Sequence, residues 1–126
     1  MTMQRSADEA KQAGVTYHLV PSTVWDARKS EPQYVPEAYD VDGFIHCTNG
    51  LDQLLEVANM FYKTDSRPYT VLVLHVADIM SPVRYDDADE IFPHIYGPLN
   101  TSAVRGQLTV DRASDGTFIG FRHSPR

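Results

Sequence analysis

The chain has 126 residues, a length typical of one domain with its own hydrophobic core. It carries 11 Lys and Arg residues against 17 Asp and Glu residues, and the formal net charge of -6 argues against a protein that binds duplex nucleic acid. A single cysteine excludes an internal disulfide and fits a reducing compartment. No run of about 18 apolar residues predicts a membrane span, and the N-terminus lacks the apolar segment of a secretory signal. We therefore expect a cytoplasmic, globular protein that does not enter a membrane.

The first third of the sequence predicts a tail, a strand, a short helix and a loop. Residues 1–14 carry almost no large apolar side chain and are predicted to be a flexible tail or a short surface helix. Alternation of apolar side chains predicts the first strand at Val15–Val20, and a good N-cap residue predicts a helix over 22–29. Residues 30–42 contain two prolines and are predicted to form a surface loop that contributes to a binding site, where Tyr34 and Tyr39 either stack on a ligand or pack under the loop.

The centre of the sequence predicts a strand that runs through a turn into a helix. Phe44–Thr48 has the composition of a half-buried strand, and apolar side chains then recur at helical spacing over residues 51–63. Strand alternation places His46 and Thr48 on one face and Cys47 on the other. We therefore expect Cys47 to be buried. His46 is the functional candidate, close to a helix N-terminus whose free N–H groups suit an anionic ligand.

The second half predicts five further strands, at residues 69–76, 83–85, 91–96, 107–111 and 117–122. The first of these is the most apolar run of the chain, which predicts a central strand covered on both faces. His94 and Tyr96 share a face of the third, together with Glu90 if that strand begins early. The acidic run at 86–90 predicts a solvated loop. The sequence thus predicts one domain over residues 15–122, followed by a short tail at 123–126.

Three histidines, His18, His46 and His94, fall within or at the end of predicted strands. Either they share one site or each is hydrogen-bonded separately into the core or its rim, and the sequence leaves both interpretations open. A zinc site of three imidazoles and water is a further alternative. The histidines lack the short spacing by which one element supplies two ligands, so no metal is expected. The sequence has no P-loop, no glycine-rich dinucleotide motif, no nucleophile elbow and no Cys-x-x-Cys pair.

The segments Tyr17–Val20, Gly43–Thr48 and Phe92–Leu99 together resemble the small bacterial and plant family called domain of unknown function 952. The resemblance extends from about Val15 to Val110. It implies a fold similar to that of the ADP-ribosyltransferase and RNA 2′-phosphotransferase group. That fold is an α+β domain in which a split, bent, mixed or antiparallel sheet with flanking helices surrounds a nucleotide-sized cleft.

The resemblance also implies site residues and a ligand. His18 resembles the ribose contact on the first strand of that group, and His46 resembles its second-strand position. The third position stays open between Glu90 and His94, so the implied catalytic residues are His46, His94 and Glu90. The resemblance implies His18 as a ligand contact, and the residues themselves suggest Thr48, Tyr96 and Tyr34 as further contacts. The implied partner is a nucleotide-like small molecule, with NAD as the candidate cofactor, in ADP-ribosyl transferase, phosphoryl transferase or glycohydrolase chemistry.

Two alternatives remain beside this interpretation. One is a module that binds a small ligand or a protein without turnover. The other is a zinc-dependent hydrolase that uses the three histidines. The sequence does not choose a substrate, an acceptor or an oligomeric state.

Overall fold

The computed structural model describes residue 8 and residues 11–123, which form an α+β domain with antiparallel sheets. The strands are β1 (Val15–Pro21), β2 (Gln33–Tyr34), β3 (Ile45–His46), β4 (Tyr69–His75), β5 (Val83–Tyr85), β6 (Pro93–Ile95), β7 (Leu99–Asn100), β8 (Val104–Arg112) and β9 (Phe118–His123). The helices between them are α1 (Ser22–Arg28), α2 (Tyr39–Asp42) and α3 (Leu51–Phe61), with 3-10 turns at Val76–Asp78 and Thr101–Ala103. The predicted α+β class is confirmed.

The largest sheet has the strand order β1-β4-β8-β9, and its neighbours are all antiparallel. β4 lies inside this sheet, as its apolar sequence predicts. Val71 and Leu72 are adjacent, so they point to opposite faces, and both are completely buried. Leu54 of α3 packs in the same cluster as Val71 and Leu108, so α3 covers one face of the sheet. Burial on both faces makes β4 the centre of the domain.

The other face of the sheet is covered by two small sheets, β3-β6-β5 and β2-β7. Their buried side chains share one cluster with Leu72 of β4 and Trp25 of α1, and this cluster includes Ile45, Ile95 and Leu99. Trp25 is 3% exposed and its ring lies edge-on to that of Tyr34, with centroids 5.6 Å apart. The second layer therefore holds β3 and β6, which carry two of the three strand histidines, against the main sheet.

The predicted strand at residues 44–48 changes partners in its middle. Ile45 and His46 pair with β6, and the N–H of Cys47 still donates to Pro93. Thr48 instead exchanges backbone hydrogen bonds of 3.0 and 2.8 Å with Tyr17 of β1. The regular strand is therefore shorter than predicted, because this segment crosses from the small sheet to the main one.

Other predicted elements differ mainly at their ends. The 91–96 strand shortens to β6 because the Asp87 side chain accepts the N–H groups of Ile91 and Phe92 at 2.8 and 3.1 Å. Ser22 begins α1 but does not cap it. Its hydroxyl lies 2.7 Å from Thr70 Oγ1 instead.

The predicted tails lie mostly outside the described residues. Within the described part, residues 11–13 are helical and His123 ends β9, where a frayed end was expected. None of the helices in the described ranges is long and apolar enough to cross a membrane.

Candidate functional site

His46 and His94 face each other across the β3–β6 ladder. They are direct partners in the antiparallel register, and their ring centroids are 5.5 Å apart with an interplanar angle of 74°. Directly opposed residues of an antiparallel pair project to the same face. The ladder thus brings together two histidines that are 48 positions apart in the chain.

An aspartate holds each of these two rings. His46 Nε2 lies 2.9 Å from Asp42 Oδ2, and His94 Nδ1 lies 2.9 Å from Asp86 Oδ2. Each carboxylate accepts a hydrogen bond from the ring N–H, which fixes the tautomer and orientation of the imidazole. The second ring nitrogen is Nδ1 in His46 and Nε2 in His94, and the structure shows no hydrogen bond to either atom within the described residues.

Asp42 reaches His46 because the chain turns sharply between them. Asp42 is the last residue of α2, and Gly43 ends that helix in the left-handed conformation with φ 79°. Gly adopts this conformation at low cost because it has no Cβ. The short helix and its glycine cap are therefore the local cause of the Asp42–His46 pair.

Asp86 is shared by three side chains. Besides His94, the Tyr96 hydroxyl donates to Oδ2 at 2.5 Å and Arg84 Nη2 donates to Oδ1 at 3.1 Å. The bonds from Tyr96, His94 and Arg84, in that order, lower the pKa of Asp86 to about 2, so the carboxylate is ionised at neutral pH. The Arg84 guanidinium lies 4.6 Å from the Tyr96 ring centroid. Asp86 was expected to be only a solvated charge, and the structure corrects this.

Phe44 packs against both histidines. Its ring is stacked on His94, with centroids 4.0 Å apart and an interplanar angle of 18°, and its centroid is 4.7 Å from that of His46. The Tyr96 ring is 5.4 Å away. Strand alternation predicts Phe44 and His46 on one face of their strand and His94 and Tyr96 on one face of theirs, and the two pairs together form a single aromatic cluster.

A cavity of about 480 Å³ opens beside this cluster. Small-molecule sites commonly have volumes of roughly 300–1,000 Å³, so it is large enough for a nucleotide fragment. Three aromatic side chains line it, those of Phe61, Tyr62 and Phe92, and Phe61 is 68% exposed. The remaining lining includes the two histidines, Thr48 and two carboxylates, Asp86 and Asp87. The cavity thus combines apolar walls with an acidic, imidazole-bearing side.

His18 does not line this cavity, contrary to the expected shared cleft of three histidines. It is 4% exposed; its Nδ1 lies 2.6 Å from the backbone oxygen of His46, and its Nε2 lies 2.7 Å from the Tyr34 hydroxyl. Burial lowers the pKa of His18 from 6.5 to about 4, so the ring is neutral at neutral pH. The carbonyl of His46 only accepts, so Nδ1–H donates to it and Nε2 accepts from Tyr34. Both ring nitrogens are therefore used inside the protein.

Three other predicted site residues have different surroundings. Tyr34 is 1% exposed in β2, where burial raises the pKa of its hydroxyl, and it does not lie in an open loop. Thr48 is buried at the cavity wall. Glu90 has a positive φ of 53° and forms an ion pair with Lys11 outside the cavity lining. Of the two candidates for the third position, His94 is the one that reaches His46.

The described residues contain no group of three or more His, Cys, Asp and Glu side chains arranged to hold a metal ion. The three-histidine zinc site in particular does not form, because His18 bonds protein groups through both nitrogens. Cys47 is 2% exposed, and burial raises the pKa of its thiol. It is therefore a core residue, as strand alternation predicts, and a poor nucleophile.

A second hollow, of about 450 Å³, has Lys63 and two arginines at its wall, and both arginines are engaged by protein groups. Arg112 donates to the carbonyl oxygens of Arg67 at 2.9 Å and of Lys63 and Gly116 at 3.2 Å. Arg67 is bound by the carboxylate of Asp65, with the shortest contact at 2.8 Å. These arginines join loops of the fold, so we place the candidate site at the histidine pair.

Comparisons with known proteins agree with this fold. An X-ray structure of protein CC0527 from Caulobacter crescentus matches with a TM-score of 0.70 and 23% identity, over 83% of this chain and 93% of that chain. Its solution NMR structure matches with a TM-score of 0.61 and 25% identity, over 82% and 90% of the two chains. No curated protein matches the sequence. The family model described as protein of unknown function (DUF952) matches residues 19–107, so this chain belongs to that family.

Proposed function

We propose that this protein binds NAD, ADP-ribose or a related nucleotide in the cavity beside His46 and His94 and acts on its ribose. The observation that carries the proposal is the cross-strand histidine pair, in which an aspartate fixes each ring, at the wall of a cavity of about 480 Å³. Oriented imidazoles beside a cavity are the arrangement that ligand binding and proton transfer require.

A ribose fits the hydrogen-bonding groups of this site. The unbonded Nδ1 of His46 and Nε2 of His94 are acceptors in the neutral rings, and the ring centroids are 5.5 Å apart. Two adjacent ribose hydroxyls lie closer together than the two ring centroids, and each can donate to one of these nitrogens from between the rings. The aromatic side chains of Phe61, Tyr62 and Phe92 offer surfaces on which a base or nicotinamide ring can stack.

The chemistry we propose is transfer or hydrolysis at the glycosidic carbon. Breaking the bond to nicotinamide develops positive charge on the ribose, which an ionised carboxylate stabilises. Asp86 is ionised and lines the cavity, whereas Glu90 is bound to Lys11, so Asp86 is the better candidate for this role. His46 would take the proton of the attacking hydroxyl or water. The division into separate antiparallel sheets supports the proposal of a split sheet of the ADP-ribosyltransferase kind.

A module that binds without turnover is the second candidate. It is favoured by the state of Asp86, whose two oxygens already accept hydrogen bonds from three side chains. A carboxylate so fully bonded positions its neighbours well but is less available to a reacting atom.

Thermal unfolding with added NAD, ADP-ribose and zinc tests the proposal. A ligand at 100 times its Kd stabilises the native state by about 2.7 kcal/mol, which raises Tm by several degrees in a domain of this size. We expect this shift with the nucleotides, and we expect His46→Asn and His94→Asn to lose it. His75→Asn is the matched control, because His75 is a half-exposed histidine away from the cavity. Chromatographic detection of nicotinamide released from NAD then separates turnover from binding.

Absence of a shift with both nucleotides at millimolar concentration would reject the proposed function. A shift with zinc that a chelator reverses would favour a metal-dependent protein instead.

A further inference from the structure

We infer that the cavity beside the histidine pair selects an organic cation, specifically a positively charged heteroaromatic ring of the N-alkylpyridinium class. The inference rests on the proposed function in placing the ligand in this cavity, but it concerns only the charge of the group that enters. The nicotinamide ring of NAD carries such a charge, whereas ADP-ribose has no group of this kind.

The first observation is the aromatic lining. Phe61, Tyr62 and Phe92 all contribute to the cavity wall. Phe61 lies at the end of α3 with 68% of its surface exposed, so a ligand ring can cover it without displacing a protein side chain. Aromatic faces attract cations through the ring quadrupole, with a strength of about 0.5–2 kcal/mol per contact.

The second observation is the sign of the charge at the wall. Asp86 and Asp87 line the cavity and Asp42 is bound to the neighbouring ring of His46, but no Lys or Arg among the described residues contributes to the lining. The nearby cation, Arg84, is occupied by Asp86 and by the face of Tyr96. The phosphates of a bound nucleotide would therefore lie outside this wall, whereas a cationic ring is attracted to it.

The third observation is that the turn from Asp87 to Phe92 positions both an acidic and an aromatic residue of the cavity lining. Asp87 accepts the backbone N–H groups of Ile91 at 2.8 Å and Phe92 at 3.1 Å. These bonds fix the position of the Asp87 carboxylate relative to the backbone of Phe92. The Asp86 carboxylate is fixed by its hydrogen bonds to Arg84, His94 and Tyr96. The negative charges and the aromatic surface are therefore preorganised before a ligand arrives, which lowers the cost of binding.

A pair of small probes tests charge selection directly. 1-Methylnicotinamide carries the positive charge and nicotinamide does not, although the two differ by only one methyl group. Titration calorimetry on the full chain is expected to give at least about tenfold tighter binding of the cation, which corresponds to about 1.4 kcal/mol. Added salt should weaken binding of the cation but not of the neutral probe.

Two variants locate the effect. Asp86→Asn removes a charge from the wall, and Phe61→Ala removes an exposed aromatic face whose loss leaves the core untouched. Each should reduce the preference for the cation several-fold. Glu90→Gln is the matched control, because it removes a charge from the same acidic loop outside the cavity lining and should leave the preference unchanged.

The outcomes separate this inference from the proposed function. If NAD and ADP-ribose stabilise the protein equally and the two probes bind alike or not at all, charge selection is wrong and the nucleotide site stands. If 1-methylnicotinamide is preferred through Asp86 and Phe61 but neither nucleotide binds, the nucleotide proposal fails and charge selection stands. If no compound binds, both fail.

Discussion

The buried histidine His18 makes the stability of this protein depend on pH over a defined range. The pKa of His18 is 6.5 in the unfolded chain and about 4 in the native state, because burial disfavours the charged ring. Between these values the unfolded chain binds a proton at this residue and the native protein does not, so acid favours unfolding. Each pH unit in this range is worth about 1.36 kcal/mol, and the whole range therefore costs about 3 kcal/mol of unfolding free energy.

Urea denaturation of the native sequence and of His18→Asn, from about pH 7.5 to about pH 4, measures this effect. Asn keeps a donor for the carbonyl of His46 but does not titrate. We expect the free energy of unfolding of the native sequence to fall about 3 kcal/mol further than that of the variant across this range. His75→Asn, which removes a half-exposed histidine, should follow the native sequence. Parallel pH curves for the native sequence and His18→Asn would refute the assignment of His18 as a buried neutral ring.

Three further predictions concern packing and strain. Gly116→Ala should destabilise the fold by about 2 kcal/mol or more, because φ is +95° and the new Cβ would lie 2.2 Å from a backbone oxygen. The control in the same denaturation assay is Gly120→Ala, whose new Cβ would have no heavy atom within 4 Å. Leu72→Ala should cost about 3 kcal/mol, since Leu72 is 0% exposed, whereas Met80→Ala at an 82% exposed position should cost less than about 0.5 kcal/mol. Cys47 should react with a thiol reagent only as fast as the protein unfolds, and rapid labelling of the native state would contradict its burial.

Strand alternation predicted the parts of the site that depend on local geometry. Phe44 and His46 were expected on one face and His94 and Tyr96 on another shared face, and the β3–β6 ladder joins these two pairs. A period of two residues decides the side to which each side chain points, and this is enough to separate Cys47 from His46.

Alternation does not show what covers each face of a sheet. For this reason His18, which was expected to contact a ligand, is found in the interior. Both faces of the main sheet are covered, so a histidine on β1 becomes a core residue wherever a second layer packs on it. Asp42 and Asp86 were missed for a different reason. A four-residue helix brings Asp42 to His46, and strand pairing brings Asp86 to His94. In the sequence nothing distinguishes these two aspartates from the other residues among the 17 Asp and Glu.

The hydrogen bond from the ring of His18 to the carbonyl oxygen of His46 runs from the interior to the backbone that carries a proposed ligand contact. Replacing His18 would alter the support beneath His46, and ligand affinity would then drop even though His18 meets no ligand. A mutational survey that measures only activity would assign both residues to ligand binding. Measuring the free energy of unfolding as well as activity for each substitution distinguishes His18, which supports the backbone, from His46, which is proposed to contact the ligand.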